Sequence, residues 1–191
     1  LETIPRDDYL KLGLGHWGYP ILELPLFKRY DTVTHLDADV IIVDKIDELC
    51  NHKLGDFRAG RNNTDNKRCA SFVGVTLPGI DWDVYINAGI HSCSSPAFME
   101  EWLTFSQDHI HEYRFGENDT LNVIFHNGKY KTKILDPVDE PVLWGTSLVE
   151  GRRTYWDLWK KITIAPEGDH LELNGKRIKA LHMAGGLPSR P

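Results

Sequence analysis

The sequence predicts an α/β fold, on three observations. Short apolar runs, such as residues 40–43 and 85–90, recur along the chain. Between them lie two stretches with helical apolar spacing, residues 96–107 and 118–125. Near the C-terminal end, Asn174-Gly175 separates two further strand-like runs, 171–173 and 177–181, and marks a hairpin. Strands that alternate with helices bury their apolar faces by packing helices on a sheet. The 191 residues suit one domain, 1–191, with a core of useful size.

In chain order, residues 1–19 are mixed. Gly13, Gly15 and Gly18 surround His16-Trp17 without the spacing of a phosphate loop. Residues 20–30 carry Ile21, Leu22, Leu24, Leu26 and Phe27, and read as a short helix opened by Pro20. Pro25 makes that helix brief or kinked. Val33, Leu36 and residues 40–43 read as buried strand, and 44–49 as a helical turn. Residues 57–61 and 70–75 have strand character around a polar loop, 62–68. Residues 85–90 are strand-like again. The helix over 96–107 has Ser94 or Ser95 as its cap and Phe98, Trp102 and Phe105 on one face. The helix over 118–125 turns Leu121, Ile124 and Phe125 inward and ends near Gly128. A short strand at 133–135, an aromatic-rich helix at 153–161, the hairpin and a terminal loop, 184–191, complete the reading.

Composition narrows the function. The 22 basic residues against 28 acidic give a net charge of −6, which argues against a nucleic-acid surface. No apolar run approaches the ~20 residues of a membrane helix, so no membrane span is expected. No signal peptide is visible at Leu1, although the chain does not begin with Met. Cys50, Cys69 and Cys93 have no CxxC spacing, which suits free thiols in a reduced compartment and predicts a cytoplasmic protein.

The chemistry concentrates at Asp37-Ala38-Asp39. On a strand, residues i and i+2 share a face, so Asp37 and Asp39 are expected to converge on one hard cation with Ala38 turned away. Oxygen ligands that leave open positions suit Mg²⁺ or Mn²⁺ together with substrate phosphates. The plain alternative is a solvated loop with two acids. A haloacid-dehalogenase-type phosphohydrolase also places such a pair after an apolar strand, with the first Asp as nucleophile; it wants Thr or Val where Ile41 stands. Asn87 offers a donor and an acceptor and Gly89 permits close backbone approach, which suits a strand end lining a pocket, or an ordinary glycine bulge. Trp17, Trp82, Trp102, Trp144 and Trp156 suit core packing, with an acceptor platform as the alternative for one or two.

Tyr30-Asp31-x-Val33-x-x-Leu36-Asp37-Ala38-Asp39-Val40, followed by Ile46-Asp47-Glu48-Leu49, resembles the signature of family 8 glycosyltransferases, which includes glycogenin, galactinol synthases and bacterial lipopolysaccharide galactosyltransferases. Three more stretches are similar to motifs of that family in the same order: Tyr85 to Ile90, Glu117 to Asn122, and Ala180 to Gly186 with His182 inside it. The resemblance implies a GT-A-like, Rossmann-type central mixed sheet flanked by helices. With 36 residues ahead of Asp37, the N-terminal nucleotide-binding unit is either reduced or missing from the numbered chain.

The resemblance also implies a site. Asp37, Asp39 and His182 hold Mn²⁺ or Mg²⁺. Asp37, Ala38, Asp39, Gly185 and Arg190 contact the donor, a nucleoside diphosphate sugar, UDP-linked. Asp119 and Asn87 act on the sugar, with a helix-start acid as the alternative reading of Asp119. A hexose passes to a hydroxyl on a saccharide or protein-linked glycan, with retention. The chain departs from the family in two places: no basic residue stands at 19–21, and Leu187-Pro188-Ser189-Arg190 replaces a Lys-Pro-Trp run. A non-catalytic nucleotide-sugar-binding module is the further alternative.

Overall fold

A computed structural model describes residues 19–61, 85–113, 116–135, 142–145, 162–173 and 175–182. The strand expected at 70–75, the loop at 62–68, the helix at 153–161 and the terminal loop lie outside the described residues.

The chain enters through helix α1, Tyr19–Glu23, which tightens into a 3₁₀ turn over Leu24–Lys28. Pro25 explains the change, because its ring clashes with the carbonyl four residues back and it offers no N–H to an α-helical ladder. Strands β1 (Val33–Leu36) and β2 (Val40–Ile42) follow, then a short helix α2 (Asp47–Cys50) and strand β3 (Phe57–Arg61). Strand β4 runs Ile86–Cys93, ahead of helices α3 (Pro96–His109) and α4 (Glu117–Phe125). Strands β5 (Thr132–Leu135), β6 (Val142–Gly145), β7 (Ile162–Ile164), β8 (Leu171–Leu173) and β9 (Lys176–His182) complete the described strands.

The fold is mixed α/β. Its described strands form two sheets, however, where the sequence predicted one central sheet. The first has the order β1-β4-β3-β5, antiparallel except for the parallel β3–β5 pair. The second has the order β2-β9-β8-β7, with β6 parallel to β9. The hairpin forms as expected: Leu173 pairs with Lys176 across a two-residue turn, and Gly175 takes a left-handed φ of 72°.

Helices α3 and α4 close one face of the first sheet over Phe57, Ile86, Phe98, Trp102, Leu121 and Phe125. Ser95 caps α3 by accepting from the Phe98 N–H at 3.3 Å, with Pro96 in the first turn. Trp102 is fully buried and its indole N–H donates to Thr120 at 3.1 Å, so it belongs to the core. A second, smaller core of Leu49, Ile90, Leu135 and Ala180 packs against Leu36 and Val40, which belong to different sheets.

Residues 40–43 correct one expectation. Ile41 and Ile42 are 50% and 49% exposed, and Val43 is 37% exposed. Among the described residues β2 pairs with β9 alone, so it is an edge strand and its apolar run is not buried.

Candidate functional site

The acidic pair sits at a corner of the chain, not along one strand face. β1 ends at Leu36 and β2 begins at Val40, and a turn closed by the Val40 N–H on the Asp37 carbonyl at 3.0 Å joins them. At this corner the chain leaves the first sheet and enters the second. Convergence of Asp37 and Asp39 therefore comes from the turn, not from strand alternation. Ala38 is exposed at its tip.

Two other strands reach the same corner. The Asp37 N–H donates to the Gly89 carbonyl of β4 at 2.9 Å, and β9 ends at His182, paired with Val40. His182 Nε2 lies 3.3 Å from Asp37 Oδ2 and 3.1 Å from Asp39 Oδ1. Ligand atoms of the three residues all fall within 4.8 Å of one another. Asp39 is the most exposed at 40% and His182 the least at 3%, so solvent reaches the group from the Asp39 side.

This donor set fits a divalent cation. Two carboxylates and one imidazole suit Mn²⁺, and carboxylates with water suit Mg²⁺. Neighbouring ligands on an octahedron with bonds of about 2.1 Å stand about 3 Å apart, as the His182–carboxylate separations do. Gly89 shows how tightly the cradle is built: an added Cβ would lie 2.3 Å from Asp37 Oδ2 and 2.3 Å from His182 Cε1. Only glycine leaves room for these two side chains to meet there.

Asp37 is held far more firmly than Asp39. Its Oδ1 accepts from the Tyr19 hydroxyl at 3.0 Å and faces His35 Nε2 at 3.0 Å. Burial alone would raise the Asp37 carboxyl, but His182, His35 and Tyr19 outweigh it and hold the group well below the usual carboxylate range. Behind His35 stands Glu23, a buried acid on α1. His35 Nδ1 makes an ion-pair contact with Glu23 Oε1 at 3.0 Å, and His91 Nε2 meets Glu23 Oε2 at 2.9 Å. Burial opposes charge on both members of the first pair. The partners prevail: His91 and His35 bring Glu23 down to about 2, and Asp37 and Glu23 bring His35 up to about 9.

Helix α4 and the start of β4 form the other wall. The Asn122 side chain accepts from the Ile86 N–H at 2.9 Å and donates to the Ile86 carbonyl at 3.0 Å. The Asn118 side chain accepts from the Ala88 N–H at 2.6 Å. Asn87 Oδ1 accepts from the Gly89 N–H at 2.7 Å, inside a register shift of the β3–β4 pairing. Ile86 and Ala88 join the helix-side core while Ile90 joins the other, so side-chain alternation changes phase here. Asn87 is therefore a buried bulge residue beside the corner. Asp119 is fully buried, and its carboxylate accepts from the Tyr85 hydroxyl at 2.6 Å. It stands in the first turn of α4 and ties that helix to the residue that leads into β4.

Sequence reasoning passed over Glu117. It opens α4 after Gly116, which has a left-handed φ of 45°. It is buried, and its Oε2 has no hydrogen-bond partner among the described residues. Burial, with the charges of Asp37 and Asp119, pushes its carboxyl up to about 8. The signal available in the sequence was an acid at the head of the third motif, one helical turn before Leu121. Glu23 and His35 gave less: neither an acid in a short apolar helix nor a histidine in a strand marks a site by itself. Gly185 and Arg190 lie outside the described residues.

No protein-family model and no curated protein matches the chain. Among solved structures, the chain is similar to the apo structure of WbbM, a bifunctional glycosyltransferase. The identity is 18% and the TM-score 0.49, over 93% of this chain and 33% of that one, so the chain spans about a third of that protein's length.

Proposed function

We propose that the chain is a metal-dependent glycosyltransferase with a GT-A-like fold. It moves a hexose from a nucleoside diphosphate sugar, UDP-linked, to a hydroxyl on a saccharide or protein-linked glycan, with retention as the family resemblance implies. One observation carries the reading: Asp37, Asp39 and His182, 145 residues apart at their extremes, converge at the corner between two sheets around a glycine whose missing Cβ leaves them room to meet.

Asp37 Oδ2, an Asp39 carboxylate oxygen and His182 Nε2 are the atoms that would hold Mn²⁺ or Mg²⁺. Such an ion supplies Lewis-acid stabilisation of negative charge on a leaving diphosphate. The other residues do the rest. Gly89 keeps the cradle open. Asn87, with its Oδ1 fixed by the Gly89 N–H, keeps its side-chain amide N–H groups for a sugar hydroxyl. Glu117 is the buried acid with an oxygen to spare; held neutral at pH 7, it donates to a sugar oxygen, and ionised it accepts a hydroxyl. Asp119 acts by holding Tyr85 and β4 in register. Contacts of Gly185 and Arg190 with the donor phosphates belong to the same reading through the resemblance. The phosphohydrolase alternative needs Asp37 as a free nucleophile, yet Oδ1 is taken by Tyr19 and His35, and Oδ2 faces His182.

The test is a transfer and hydrolysis assay with UDP-glucose, UDP-galactose and GDP-mannose, with and without Mn²⁺. Mn²⁺-dependent release of UDP that disappears in Asp39→Asn supports the reading. No binding or turnover of any nucleotide sugar in the presence of Mn²⁺ contradicts it.

A further inference from the structure

His35 and His91 are directly paired across β1 and β4, and their rings stack with centroids 5.0 Å apart and planes 6° apart. Glu23 sets one carboxylate oxygen against each ring: Oε2 is hydrogen-bonded to His91 Nε2 at 2.9 Å, and Oε1 stands 3.0 Å from His35 Nδ1 as an ion-pair contact without hydrogen-bond geometry. His91 is fixed independently, because its Nδ1 meets the Ala88 carbonyl at 2.6 Å and Phe57 stacks on its far face. His35 is thereby clamped between a fixed ring and Glu23, and its Nε2 is aimed at Asp37 Oδ1. Tyr19, from the same helix as Glu23, donates to the same oxygen. A carboxylate oxygen with two donors on it has little left for a cation. The other oxygen, Oδ2, is the one that faces His182.

We propose that Glu23 and His35 are positioning residues that hold Asp37 as a one-oxygen ligand, presenting Oδ2 to the cation and withholding Oδ1. This rests on the metal-dependent reading above and deepens it. The general reason is that ligating carboxylates bind well only when an outer partner fixes their orientation, and loss of such a partner typically weakens metal binding about 10–100-fold. Glu23 touches neither Asp37 nor any proposed ligand atom. The side-chain route from Glu23 to the cation therefore runs through the His35 imidazole, and Tyr19 on the same helix is the other link from α1 to Asp37. A buried acid, a buried histidine and a half-buried histidine stacked on it, at the back of a half-open cradle, otherwise serve no packing need that three apolar residues would not meet better.

The experiment is titration of Mn²⁺ alone into the full chain by calorimetry and by the Mn²⁺ electron paramagnetic resonance signal. Wild type is compared with Glu23→Gln, His35→Leu, His35→Gln and Asp39→Asn, each checked for folding by circular dichroism. Glu23→Gln and His35→Leu are expected to weaken Mn²⁺ about 10–100-fold. His35→Gln, whose amide N–H can still reach Asp37, is expected to recover part of the loss. Folded Glu23 and His35 variants that bind Mn²⁺ as tightly as wild type would overturn the positioning role while leaving the metal reading intact, provided Asp39→Asn binds poorly. Wild type that binds no Mn²⁺ would overturn both. Should the variants fail to fold, the Mn²⁺-bound structure of the wild-type protein decides: Asp37 bound through Oδ2 alone supports the proposal, and Asp37 bound through Oδ1 or both oxygens refutes it.

Discussion

Gly89 and Glu117 carry two consequences that belong to single residues. At Gly89 the space, not the backbone angle, is the constraint. Gly89→Ala forces Asp37 and His182 apart, and overpacking of this kind typically destabilises by about 1–3 kcal/mol. Mn²⁺ affinity is expected to fall at least ~10-fold, which calorimetry on the folded variant measures. Glu117 has the opposite character, since the wild-type residue is the strained one. Its carboxyl titrates near 8 in the fold against an ordinary 4.5, because burial penalises its charge. A group raised in this direction favours the folded state below pH 4.5, and that contribution is lost as pH climbs through 8. The upper bound of the effect is roughly 5 kcal/mol. Glu117→Gln cannot ionise. In metal-free protein its melting temperature is therefore expected to gain on wild type between pH 5 and pH 8, by several degrees. Parallel melting curves across that range would show that Glu117 is not strained. The sequence placed an acid at 117 in plain view yet gave no hint of its burial, which depends on how α4 lies against β4.

Among elements, the pairing of α4 with β4 sets the wall of the site. The motifs at 85–90 and 117–122 are hydrogen-bonded to one another through Asn118, Asp119 and Asn122. Asn122→Ala removes a donor and an acceptor from Ile86 in a buried place and leaves those backbone groups short of partners. The expected loss is about 2–4 kcal/mol, read from urea unfolding. A loss under ~0.5 kcal/mol would mean that β4 is held by its ladder alone. At this scale most of the chain was legible. Ser95 and Pro96 announced α3, Asn174-Gly175 announced the hairpin, and Pro25 announced the break after α1. Two readings failed for the same physical reason. The run 40–43 looked buried, and Asp37 with Asp39 looked like one strand face. Both inferences assumed one continuous strand, whereas the chain turns at Ala38 and changes sheets. Apolar content cannot distinguish an edge strand from a central one, and a three-residue turn between two apolar runs carries no Gly or Pro to mark it.

For the molecule as a whole, the two mixed sheets matter because their junction is where distant parts of the chain can meet. Asp37 and Asp39 come from the link between β1 and β2, Gly89 from an inner strand of the first sheet, and His182 from the end of the strand that organises the second. The resemblance to family 8 glycosyltransferases, carried by short motifs in the same order, implied that Asp37, Asp39 and His182 meet. The layer behind them was not legible, because Glu23, His35 and His91 acquire their roles only when α1 packs across the pairing of β1 with β4. The described helices include none long and apolar enough to cross a membrane, in keeping with the absence of any such run in the sequence. The central claim is that the sheet junction is a cation site. Crystals grown with Mn²⁺ and UDP, with diffraction recorded at the manganese absorption edge, test it most directly. The expected result is one anomalous peak within bonding distance of Asp37 Oδ2, an Asp39 oxygen and His182 Nε2, with the diphosphate completing its shell. Bound UDP with no peak at that corner, or a peak away from all three side chains, would contradict it.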